Sequence, residues 1–565
     1  MAPNGKSAFS LSVILPLLGI SLIATTAFAT SLRITHGIAS GDVTATSVVI
    51  WSRASGDAHM VVEYTSVTDP SRPLLRQTSP SVDARSDFTG KVLLERLTPD
   101  TRYLYWVRFV GSDGTEVVSE TGQFKTAPAD DTARAVSFVW WGDVAGQGYC
   151  RDPERGYALF NQMARLAPDV AIANGDAVYV DSTCPPVTSV PDHPRNAVSA
   201  DQETATYQLV SAADPRLNTP AEILAAFRAK WKYNLEDEPY RRFRAQTPHV
   251  YQWDDHEVVN DWAPGETNVG LLRGVADARP MSVLVAPGRQ SFFEYAPIHS
   301  GTEARIHRSF RFGKLAELLV VDTRSYRDEN FVPDGPGKTL DVRFSNGERR
   351  RLEGKAKTML GVEQREWLLA GLRDAERRGV TWKIISTDVP LSVATGGYQL
   401  FAPEGAKTPL YNVRDGWAAG ARLNADRDGN QGSPFGVESE LRQILAAIKA
   451  SGIRNVVFVA TDVHHARLLR YEPSGDLAGL VFYEFIAGPT SAVSGTPSPL
   501  SSTFAPRELF ARGRRADPVR PSFLNFGVLR IAADELLTVE IRDADGAIPQ
   551  DDRGRVGALT LTPTR

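Results

Sequence analysis

The chain has 565 residues, of which 42% are hydrophobic and 23% are charged, and its formal net charge is −4. These values exclude a disordered, collagenous or coiled-coil protein, and they leave no overall basic charge to hold nucleic acid or an anionic membrane. Two cysteines are too few for a disulfide-based scaffold or an array of zinc fingers. At about 150 residues per domain, the length predicts two to four domains, or one large domain with an appendage. The composition therefore favours a mildly acidic globular enzyme.

The first residues of the chain have the pattern of an export signal. Lys6 provides a weakly positive start, Ala8 to Ala24 form an apolar stretch, and Ala27-Phe28-Ala29 is an A-x-A cleavage site. Serine, proline and glycine interrupt the apolar stretch, whereas a retained membrane anchor, which is the alternative, needs about 20 cleaner apolar residues. We therefore predict a cleaved signal peptide over residues 1–29 and no membrane span in the mature chain.

Export would place the two cysteines, Cys150 and Cys184, in an oxidising compartment in which they can pair. A bridge between them would remove loop-closure entropy of about 3–4 kcal/mol from the unfolded state. The alternative is two unrelated buried thiols. Because these are the only cysteines of an exported chain, we predict a Cys150–Cys184 disulfide.

Residues 30–127 have the pattern of a separate all-β domain. Short alternating segments such as Ser47–Ser52 and Met60–Tyr64 are separated by turn-rich sequence. The sequence LTPDTRY, which ends at Tyr103 and leads into an alternating strand, resembles the tyrosine corner of fibronectin type III-like sandwiches, in which the tyrosine hydroxyl bonds back to the backbone. We therefore predict an N-terminal β-sandwich that ends at a linker over residues 126–131.

From residue 135 onward, apolar strands alternate with amphipathic helices, which predicts an α/β domain on a mixed sheet or on two packed sheets. We place this catalytic domain at residues 132–545 and a C-terminal tail at 546–565. Four long polar stretches, 185–220, 263–300, 328–358 and 396–438, are interpreted as surface loops. The predicted strands are Ala135–Trp141, Asp169–Ala173, His249–Trp253, Leu315–Val321, Thr381–Ser386, Asn455–Ala460, Gly479–Ile486 and Phe523–Arg542, and the predicted helices are Val362–Arg378, Ser439–Ser451 and one with Tyr157, Phe160, Ala164 and Ala167 on its apolar face.

Aspartates follow five of these predicted strands, and in α/β sheets ligands bind just outside the carboxyl ends of the strands. Each aspartate alone could be an ordinary turn residue, but as a set they predict a cluster of acids. Because converging carboxylates repel one another unless cations neutralise them, the cluster favours a metal site. The five residues are Asp143, Asp176, Asp255, Asp388 and Asp462.

The neighbours of these aspartates indicate what kind of metal site it is. Tyr179 follows Asp176 by three residues, and its phenolate is a hard oxygen donor that suits Fe(III). His256 and His464 stand close after Asp255 and Asp462. The chain lacks a P-loop, a G-x-S-x-G elbow, an H-E-x-x-H helix and a G-x-G-x-x-G turn, so metal-assisted hydrolysis is the chemistry that these residues favour.

Taken in chain order, the motifs resemble those of PhoD-type alkaline phosphatases, which belong to the calcineurin-like metallophosphoesterase superfamily together with the purple acid phosphatases. The resemblance covers nearly the whole mature chain, including residues 37–42 of the sandwich. It implies a secreted phosphoesterase active at alkaline pH, with an iron–calcium centre on a four-layered αββα fold. The motifs are Gly142-Asp143, Gly175-Asp176-x-x-Tyr179, Trp253-Asp254-Asp255-His256-Glu257-Val258, Val321-Asp322-Thr323-Arg324-x-Tyr326-Arg327 and Asp462-Val463-His464.

The resemblance also implies roles for individual residues. His256 would donate a hydrogen bond or proton to the leaving oxygen, and a metal-bound hydroxide would be the nucleophile. Asp388 stands where the wider superfamily has a further ligand of the second metal, and Arg324 and Arg327 are candidates either for phosphate binding or for structural salt bridges. The first metal, Fe(III), would be held by Asp143, Asp176, Tyr179 and His464, and the second, Ca²⁺, by the bridging Asp176 with Asp255, Asp388 and Asp462.

The sequence departs from the best-known members of that family at two points. Many members have a cysteine in the first motif, where this chain has Asp143, and this makes the centre more similar to that of purple acid phosphatases. Many also carry a twin-arginine signal, whereas no Arg-Arg pair precedes the apolar stretch here, so we predict Sec export to the periplasm or the exterior.

We therefore predict a secreted, metal-dependent alkaline phosphatase that hydrolyses small phosphomonoesters. One alternative is a phosphodiesterase or phospholipase D-like hydrolase with the same metals and a more open cleft. Another is an extracellular binding protein in which the sandwich is the working part and the phosphoesterase domain is inactive. Because every motif ligand is present, the enzyme is the prediction that we carry forward.

Overall fold

The structure is a computed structural model that describes residues 31–67, 74–146, 149–152, 154–182, 217, 219–265, 281–299, 304–329, 339–343, 349–353, 355–393, 399–400, 411–412, 417, 436–515 and 521–565. The predicted signal peptide and Cys184 lie outside these residues. Cys150 is buried and is not a free thiol, and its pairing with Cys184 stays a prediction. Among the described residues, no helix is long and apolar enough to span a membrane.

The described N-terminal part of the chain contains strands and no α-helix, and the remainder contains both strands and helices, as predicted. The helices are α1 (Leu159–Arg165), α2 (Pro220–Leu235), α3 (Glu238–Gln246), α4 (Met281–Tyr295), α5 (Gly361–Arg377) and α6 (Glu438–Ala450). The strands are β1 (Ile34–Gly41), β2 (Val48–Ala54), β3 (Ala58–Ser66), β4 (Leu75–Val82), β5 (Thr89–Leu94), β6 (Arg102–Gly111), β7 (Glu116–Val118), β8 (Gly122–Lys125), β9 (Val136–Trp141), β10 (Val170–Asn174), β11 (His249–Gln252), β12 (Arg308–Phe312), β13 (Ala316–Val320), β14 (Thr339–Arg343), β15 (Arg349–Glu353), β16 (Trp382–Ser386), β17 (Gln399–Leu400), β18 (Tyr411–Asn412), β19 (Val456–Ala460), β20 (Ala466–Tyr471), β21 (Phe482–Ile486), β22 (Pro506–Arg512), β23 (Asn525–Ile531), β24 (Leu537–Asp543) and β25 (Ala558–Leu561).

The N-terminal β-sandwich is confirmed. One of its sheets contains β3, β4, β6, β7 and β8, and β1, β2 and β5 form the facing layer. Buried and less buried residues alternate along β6, as expected for a strand with one face on a core. The backbone N–H of Thr98 donates to the hydroxyl of Tyr103 at 2.9 Å, which is the predicted tyrosine corner.

The sandwich continues directly into the sheet of the following domain. Its strand β1 pairs in parallel with β11, with Gly41 opposite His249, in a nine-stranded sheet of order β25-β24-β23-β9-β10-β11-β1-β2-β5. A Cβ atom at position 41 would lie 2.4 Å from the carbonyl oxygen of Pro297 and 2.7 Å from that of His249, so only glycine fits at this junction. β25, which falls in the predicted C-terminal tail, is the outer strand of the same sheet.

A second sheet of seven strands packs face to face against the central part of the first. Its order is β12-β13-β16-β19-β21-β20-β22, and β13, β16, β19 and β21 run parallel. Phe138 and Trp140 of β9 lie in one buried cluster with Leu318 and Ile384 of the second sheet. The rings of Phe138 and Phe312 meet edge to face with centroids 4.9 Å apart.

Helices cover the outer faces of both sheets, which gives the predicted αββα order of layers. Helices α1 to α4 pack on the nine-stranded sheet through residues such as Phe160 and Trp231, and α5 and α6 pack on the seven-stranded sheet through residues such as Leu372 and Leu445. α2 begins with a capping box in which Thr219 and Glu222 satisfy each other's backbone N–H groups. The predicted α/β fold with an N-terminal sandwich is therefore confirmed.

The interpretation of two polar stretches as surface loops was wrong. Residues 263–300 contain α4, which buries Phe292 and Tyr295, and residues 328–358 contain the hairpin of β14 and β15. In α4 the sequence Pro287-Gly288 has the appearance of a turn, but Gly288 lies inside the helix, where a Cβ would approach the carbonyl oxygen of Glu257 to 2.9 Å. Most of 185–220 and of 396–438 lies outside the described residues.

A buried glutamate in the seven-stranded sheet leads to a prediction about stability. Glu484 of β21 accepts a hydrogen bond from the backbone N–H of Leu391 at 2.6 Å and is bonded to the hydroxyl of Tyr471. Burial raises the pKa of Glu484 to about 7, which is above the usual value for an unfolded chain. The folded state therefore binds the proton more tightly, and the stability that this provides is complete below about pH 4.5 and is lost as the pH rises through about 7.

We expect Glu484→Gln to remove this loss, because glutamine can form both hydrogen bonds without a charge. Relative to wild type, the variant should gain about 3 kcal/mol between pH 5 and pH 8. Urea denaturation of both proteins across this pH range measures the difference. A difference that stays constant with pH would show that Glu484 does not titrate there.

Candidate metal centre

The five predicted strand-end aspartates follow parallel strands in the two facing sheets. Asp143, Asp176 and Asp255 come after β9, β10 and β11, which run parallel in the nine-stranded sheet. Asp388 and Asp462 come after β16 and β19, which run parallel in the seven-stranded sheet. The carboxyl ends of parallel strands lie at the same end of a sheet. Asp254 and Asp255, which follow β11 of the first sheet, lie close to Asp462, which follows β19 of the second, so these ends of the two sheets adjoin.

Four predicted ligands have a left-handed backbone, which is uncommon outside glycine and is enriched at functional sites. The φ angles are 57° at Asp143, 51° at Asp176, 67° at Asp462 and 56° at His464. At these angles the chain turns sharply at the end of each strand.

The first group of possible metal ligands contains Asp143, Asp176 and His464, whose ligand atoms all lie within 4.8 Å of one another. The hydroxyl of Tyr179 lies 2.8 Å from Nε2 of His464, so it belongs to the same group. Nδ1 of His464 is bonded to the carbonyl oxygen of Val493, which can only accept, so the proton is on Nδ1. Nε2 therefore presents its lone pair to the group, as in metal-binding histidines.

Two further groups adjoin the first. Asp176, Asp255 and His256 have ligand atoms within 4.8 Å of one another, and so do Asp254, Asp255 and Asp462. Asp176 therefore belongs to the first two groups, and Asp255 belongs to the last two. A carboxylate with two oxygens in such a position can bridge two cations.

The acids of these groups are buried, except Asp462, which is partly exposed. Asp143 and Asp176 are at most 1% exposed, and burial raises the pKa of Asp143 to about 8. Burial also raises the pKa of Asp176, and its neighbours Asp255 and Asp254 raise it further. Both oxygens of Asp143 and one oxygen of Asp255 accept no hydrogen bond of normal geometry. Buried carboxylates of this kind fit divalent or trivalent cations, which would supply the missing charge and ligand bonds.

His256 is held beside these groups by three contacts. Its Nδ1 lies 2.7 Å from Oδ1 of Asp181, and its ring stacks on Tyr179 with centroids 3.9 Å apart. Its backbone N–H donates to Oδ1 of Asp176 at 3.1 Å. Burial lowers the pKa of His256, but Asp181 and Asp255 outweigh this and raise it to about 9. Its Nε2, which lies 4.0 Å from Asp255, faces the ligand groups.

Glu257 organises the backbone beneath the site, a role that the sequence analysis missed. Its carboxylate is fully buried and accepts three backbone hydrogen bonds, from Asp176 at 3.1 Å, Ala177 at 2.7 Å and Asp254 at 2.9 Å. It thus ties the end of β10 to the end of β11. In the sequence, only its position directly after His256 in the motif indicated that Glu257 could belong to the site.

Asp388 is not a member of the three groups, but it contacts Asp254, which belongs to one of them. Asp388 is fully buried and accepts from the Thr323 hydroxyl and from the backbone N–H of Val389. Arg324 is buried, lies 2.5 Å from Asp254 and 3.9 Å from Asp388, and so forms the structural salt bridge that was one of its two interpretations. Asp254 directly precedes Asp255 but was not among the sequence-predicted ligands.

The comparisons with known families and proteins agree with this architecture. A family model described as "PhoD-like phosphatase" matches residues 138–534, and one described as "PhoD-like phosphatase, N-terminal domain" matches residues 21–128. Alkaline phosphatase D of Bacillus subtilis (strain 168) is 24% identical over 450 residues, which are 76% of this chain and 64% of that protein. The chain thus matches somewhat less than two thirds of the length of this relative.

Two solved structures share the fold. A structure described as that of PhoD has a TM-score of 0.61 at 18% identity and covers 95% of this chain and 93% of its own. A purple acid phosphatase from yellow lupin (Lupinus luteus) seeds has a TM-score of 0.55 at 13% identity and covers 94% of this chain and 74% of its own. The resemblance seen in the sequence is therefore confirmed: the chain belongs to the PhoD-like phosphatase family.

Proposed function

We propose that this protein is an exported alkaline phosphatase that hydrolyses small phosphomonoesters at a centre of two metal ions. The observation that carries the proposal is the position of Asp176, which shares its carboxylate between two adjoining groups of buried ligands. Two cations held there would activate a water molecule and neutralise the charge of a phosphoryl group. The family membership supports hydrolysis of a phosphoric ester as the reaction.

The residues divide into two sets of donors that suit different ions. We propose that Asp143, Asp176, Tyr179 and His464 hold Fe(III), because a phenolate and an imidazole stand beside the two carboxylates. Apart from His256, which belongs to the second ligand group, the second set has only carboxylates, which suits Ca²⁺. It contains Asp255, Asp462 and the sequence-predicted Asp388, and the geometry adds Asp254 to it.

His256 is proposed as the general acid. Asp181 holds Nδ1, so Nε2 is the nitrogen that faces the ligand groups and can give its proton to the leaving oxygen of the ester. Glu257 keeps the backbone of Asp176 and Asp254 in place during this transfer. The protein thus contributes orientation, charge and one proton.

The proposal also covers the export of the chain and its division into domains. We propose that the signal peptide over residues 1–29 is cleaved after Sec export, and that the Cys150–Cys184 disulfide forms in the periplasm or outside the cell. We propose a sandwich at 30–127, a catalytic domain at 132–545 and a C-terminal tail at 546–565 that contributes β25 to the nine-stranded sheet of that domain. The partner is a small phosphoester, and no role in nucleic-acid binding is proposed.

The first experiment is elemental analysis of the exported protein, together with assays on p-nitrophenyl phosphate and bis(p-nitrophenyl) phosphate at alkaline pH. We expect close to one iron with calcium per chain, and turnover of the monoester faster than of the diester. Faster turnover of the diester would favour the phosphodiesterase instead. Protein without bound metal, and without activity after addition of iron and calcium, would overturn the proposal in favour of a binding protein.

Tyr179 provides a spectroscopic test of the first metal. With Fe(III) bound, the wild-type protein should show a visible tyrosinate-to-iron charge-transfer band. Tyr179→Phe should lose this band while its ring continues to stack on His256, since phenylalanine keeps the aromatic face. Tyr149→Phe is the matched control, because this buried tyrosine lies outside the ligand groups. A band that persists in Tyr179→Phe would show that Tyr179 does not bind the iron.

A further inference from the structure

Lys230 is a buried lysine that the proposed chemistry does not use. It lies in α2 and is 3% exposed, and its Nζ donates to the carbonyl oxygen of Ser182. Burial lowers the pKa of Lys230 to about 8, and Asp181 is the neighbouring charge that opposes this shift. Burying an ammonium group costs free energy unless the group is paired. Lys230 bonds to Ser182, the residue after Asp181, and Asp181 bonds to His256.

The segment that Lys230 contacts, residues 175–182, carries much of the proposed site. Asp176 and Tyr179 lie in it, and Asp181 near its end bonds to Nδ1 of His256. The backbone N–H of Val180 also donates to the carbonyl oxygen of His256 at 3.0 Å. The direction of the His256 imidazole therefore depends on where this segment is held.

Helix α2 holds the 175–182 segment at two points one helical turn apart. Lys230 bonds to the Ser182 carbonyl, and Asn234, four residues later on the same face of the helix, donates to the carbonyl oxygen of Ala177 at 2.9 Å. Asn234 is itself oriented by the hydroxyl of Tyr157 at 2.7 Å. Two side chains on one face of a helix thus fix both ends of the segment.

The helix is itself anchored on the other side, against the sandwich and α4. Lys232 pairs with Asp87 at 3.6 Å, and Arg228 pairs with Glu294 at 2.6 Å and donates to the carbonyl oxygen of Arg85 at 2.7 Å. The Lys232–Asp87 and Arg228–Glu294 pairs are largely buried, whereas the bond from Arg228 to Arg85 is exposed. α2 is therefore a rigid connection between the sandwich and the 175–182 segment.

We propose that Lys230 is a positioning residue for the hydrolysis: it holds the 175–182 segment and balances the charge of Asp181, so that Asp181 keeps His256 Nε2 directed at the leaving oxygen. This inference rests on the proposed function. It assigns a role to a residue more than 20 positions away from any proposed ligand or acid in the sequence.

Esters whose leaving groups differ in acidity can show whether Lys230 positions His256 or only stabilises the fold. An ester with an acidic leaving group needs little proton donation, whereas phenyl phosphate needs it strongly. In Lys230→Met we expect kcat to fall about tenfold or more for phenyl phosphate and less than about threefold for p-nitrophenyl phosphate, since general acid catalysis contributes about 10²–10⁴-fold in total. Metal content should stay at the wild-type level.

Two controls complete the experiment. Lys383→Met removes another buried lysine, which pairs with Glu376 away from the site, and should leave the ratio of the two rates unchanged. In a His256→Ala background, Lys230→Met should have little further effect, because it acts through a residue that is already absent. If Lys230→Met does not fold, Lys230→Gln, which keeps a donor for Ser182 and removes only the charge beside Asp181, should change the ratio of rates in the same direction but by a smaller factor.

The outcomes distinguish this inference from the proposed function. If wild type hydrolyses neither ester, the proposed function fails. If wild type is active and the Lys230 variants slow both esters equally, or if the effect persists in the His256→Ala background, Lys230 is not a positioning residue for His256. A change in the ratio of rates that disappears without His256 supports the proposal.

Discussion

Replacing Asp176 by asparagine is expected to abolish hydrolysis and to reduce the content of both metals. Asp176 is the carboxylate that the groups Asp143/Asp176/His464 and Asp176/Asp255/His256 share. Asparagine has a similar size, but it lacks the charge and one of the two oxygen ligands that a bridging residue needs. We expect kcat/KM to fall by at least about a thousandfold, since metal catalysis contributes several kcal/mol and each 1.4 kcal/mol or so is a factor of ten in rate.

Elemental analysis and steady-state kinetics on the same preparation measure both effects. Asp237→Asn is the matched control, because Asp237 is a buried acid outside the ligand groups; asparagine can still cap α3 through Tyr240 but loses the acceptor for the backbone N–H of Tyr157, so only a loss of stability is expected. This control should keep both metals and its activity. If Asp176→Asn loses only one metal, or turns over substrate at a rate near that of wild type, the shared carboxylate is not the centre of the site.

Glu257→Ala is expected to destabilise the protein strongly as well as to weaken metal binding. The change leaves three buried backbone N–H groups, at Asp176, Ala177 and Asp254, without their acceptor. Each buried donor that loses its partner costs about 1–3 kcal/mol, so a loss on the order of 4 kcal/mol is expected. Glu257→Gln should recover only part of this, because its amide nitrogen is itself a donor and would face the same N–H groups.

Glu440→Ala separates stability from metal binding. Glu440 accepts from the backbone N–H groups of Met359 and Leu360 at 2.6 and 3.1 Å, and it is equally buried, but it caps α5 away from the ligand groups. Thermal denaturation should show comparable losses for the two alanine variants. Metal analysis should show a loss in Glu257→Ala only. Retention of both metals in Glu257→Ala would mean that the positions of β10 and β11 do not depend on Glu257.

The sequence predicts those parts of the fold that are set by local patterns. The apolar run before Asp143 and the one before Asp462 are β9 and β19, because a strand covered on both faces needs several successive apolar residues. α4 could not be predicted in the same way. Its buried residues recur at helical spacing, but Pro287-Gly288 interrupts the pattern, and Gly288 is needed because the carbonyl oxygen of Glu257 and the side chains of Val258 and Phe227 approach it.

In the candidate site too, some residues can be found from sequence spacing, whereas others are recognised only from contacts between residues far apart in the sequence. Strand-end aspartates and their neighbouring histidines can be found from spacing alone, and the structure brings Asp143, Asp176 and His464 together. The role of Lys230 depends on a carbonyl oxygen 48 residues away in the sequence, and no local pattern encodes such a contact. Likewise, the difference between Asp254 and Asp388 depends on where Arg324 lies.

The position of β9 between β10 and β23 affects how the protein can be made. β9 and β10 are synthesised within the first 174 residues, but one hydrogen-bonding edge of β9 stays open until residues 525–531 form β23. Pairing over such a distance along the chain is slow, and an open edge on a partly made chain is prone to aggregation. The nine-stranded sheet therefore stays incomplete until nearly the whole chain has been translated, and the open edge of β9 must be protected from wrong pairing until β23 is made.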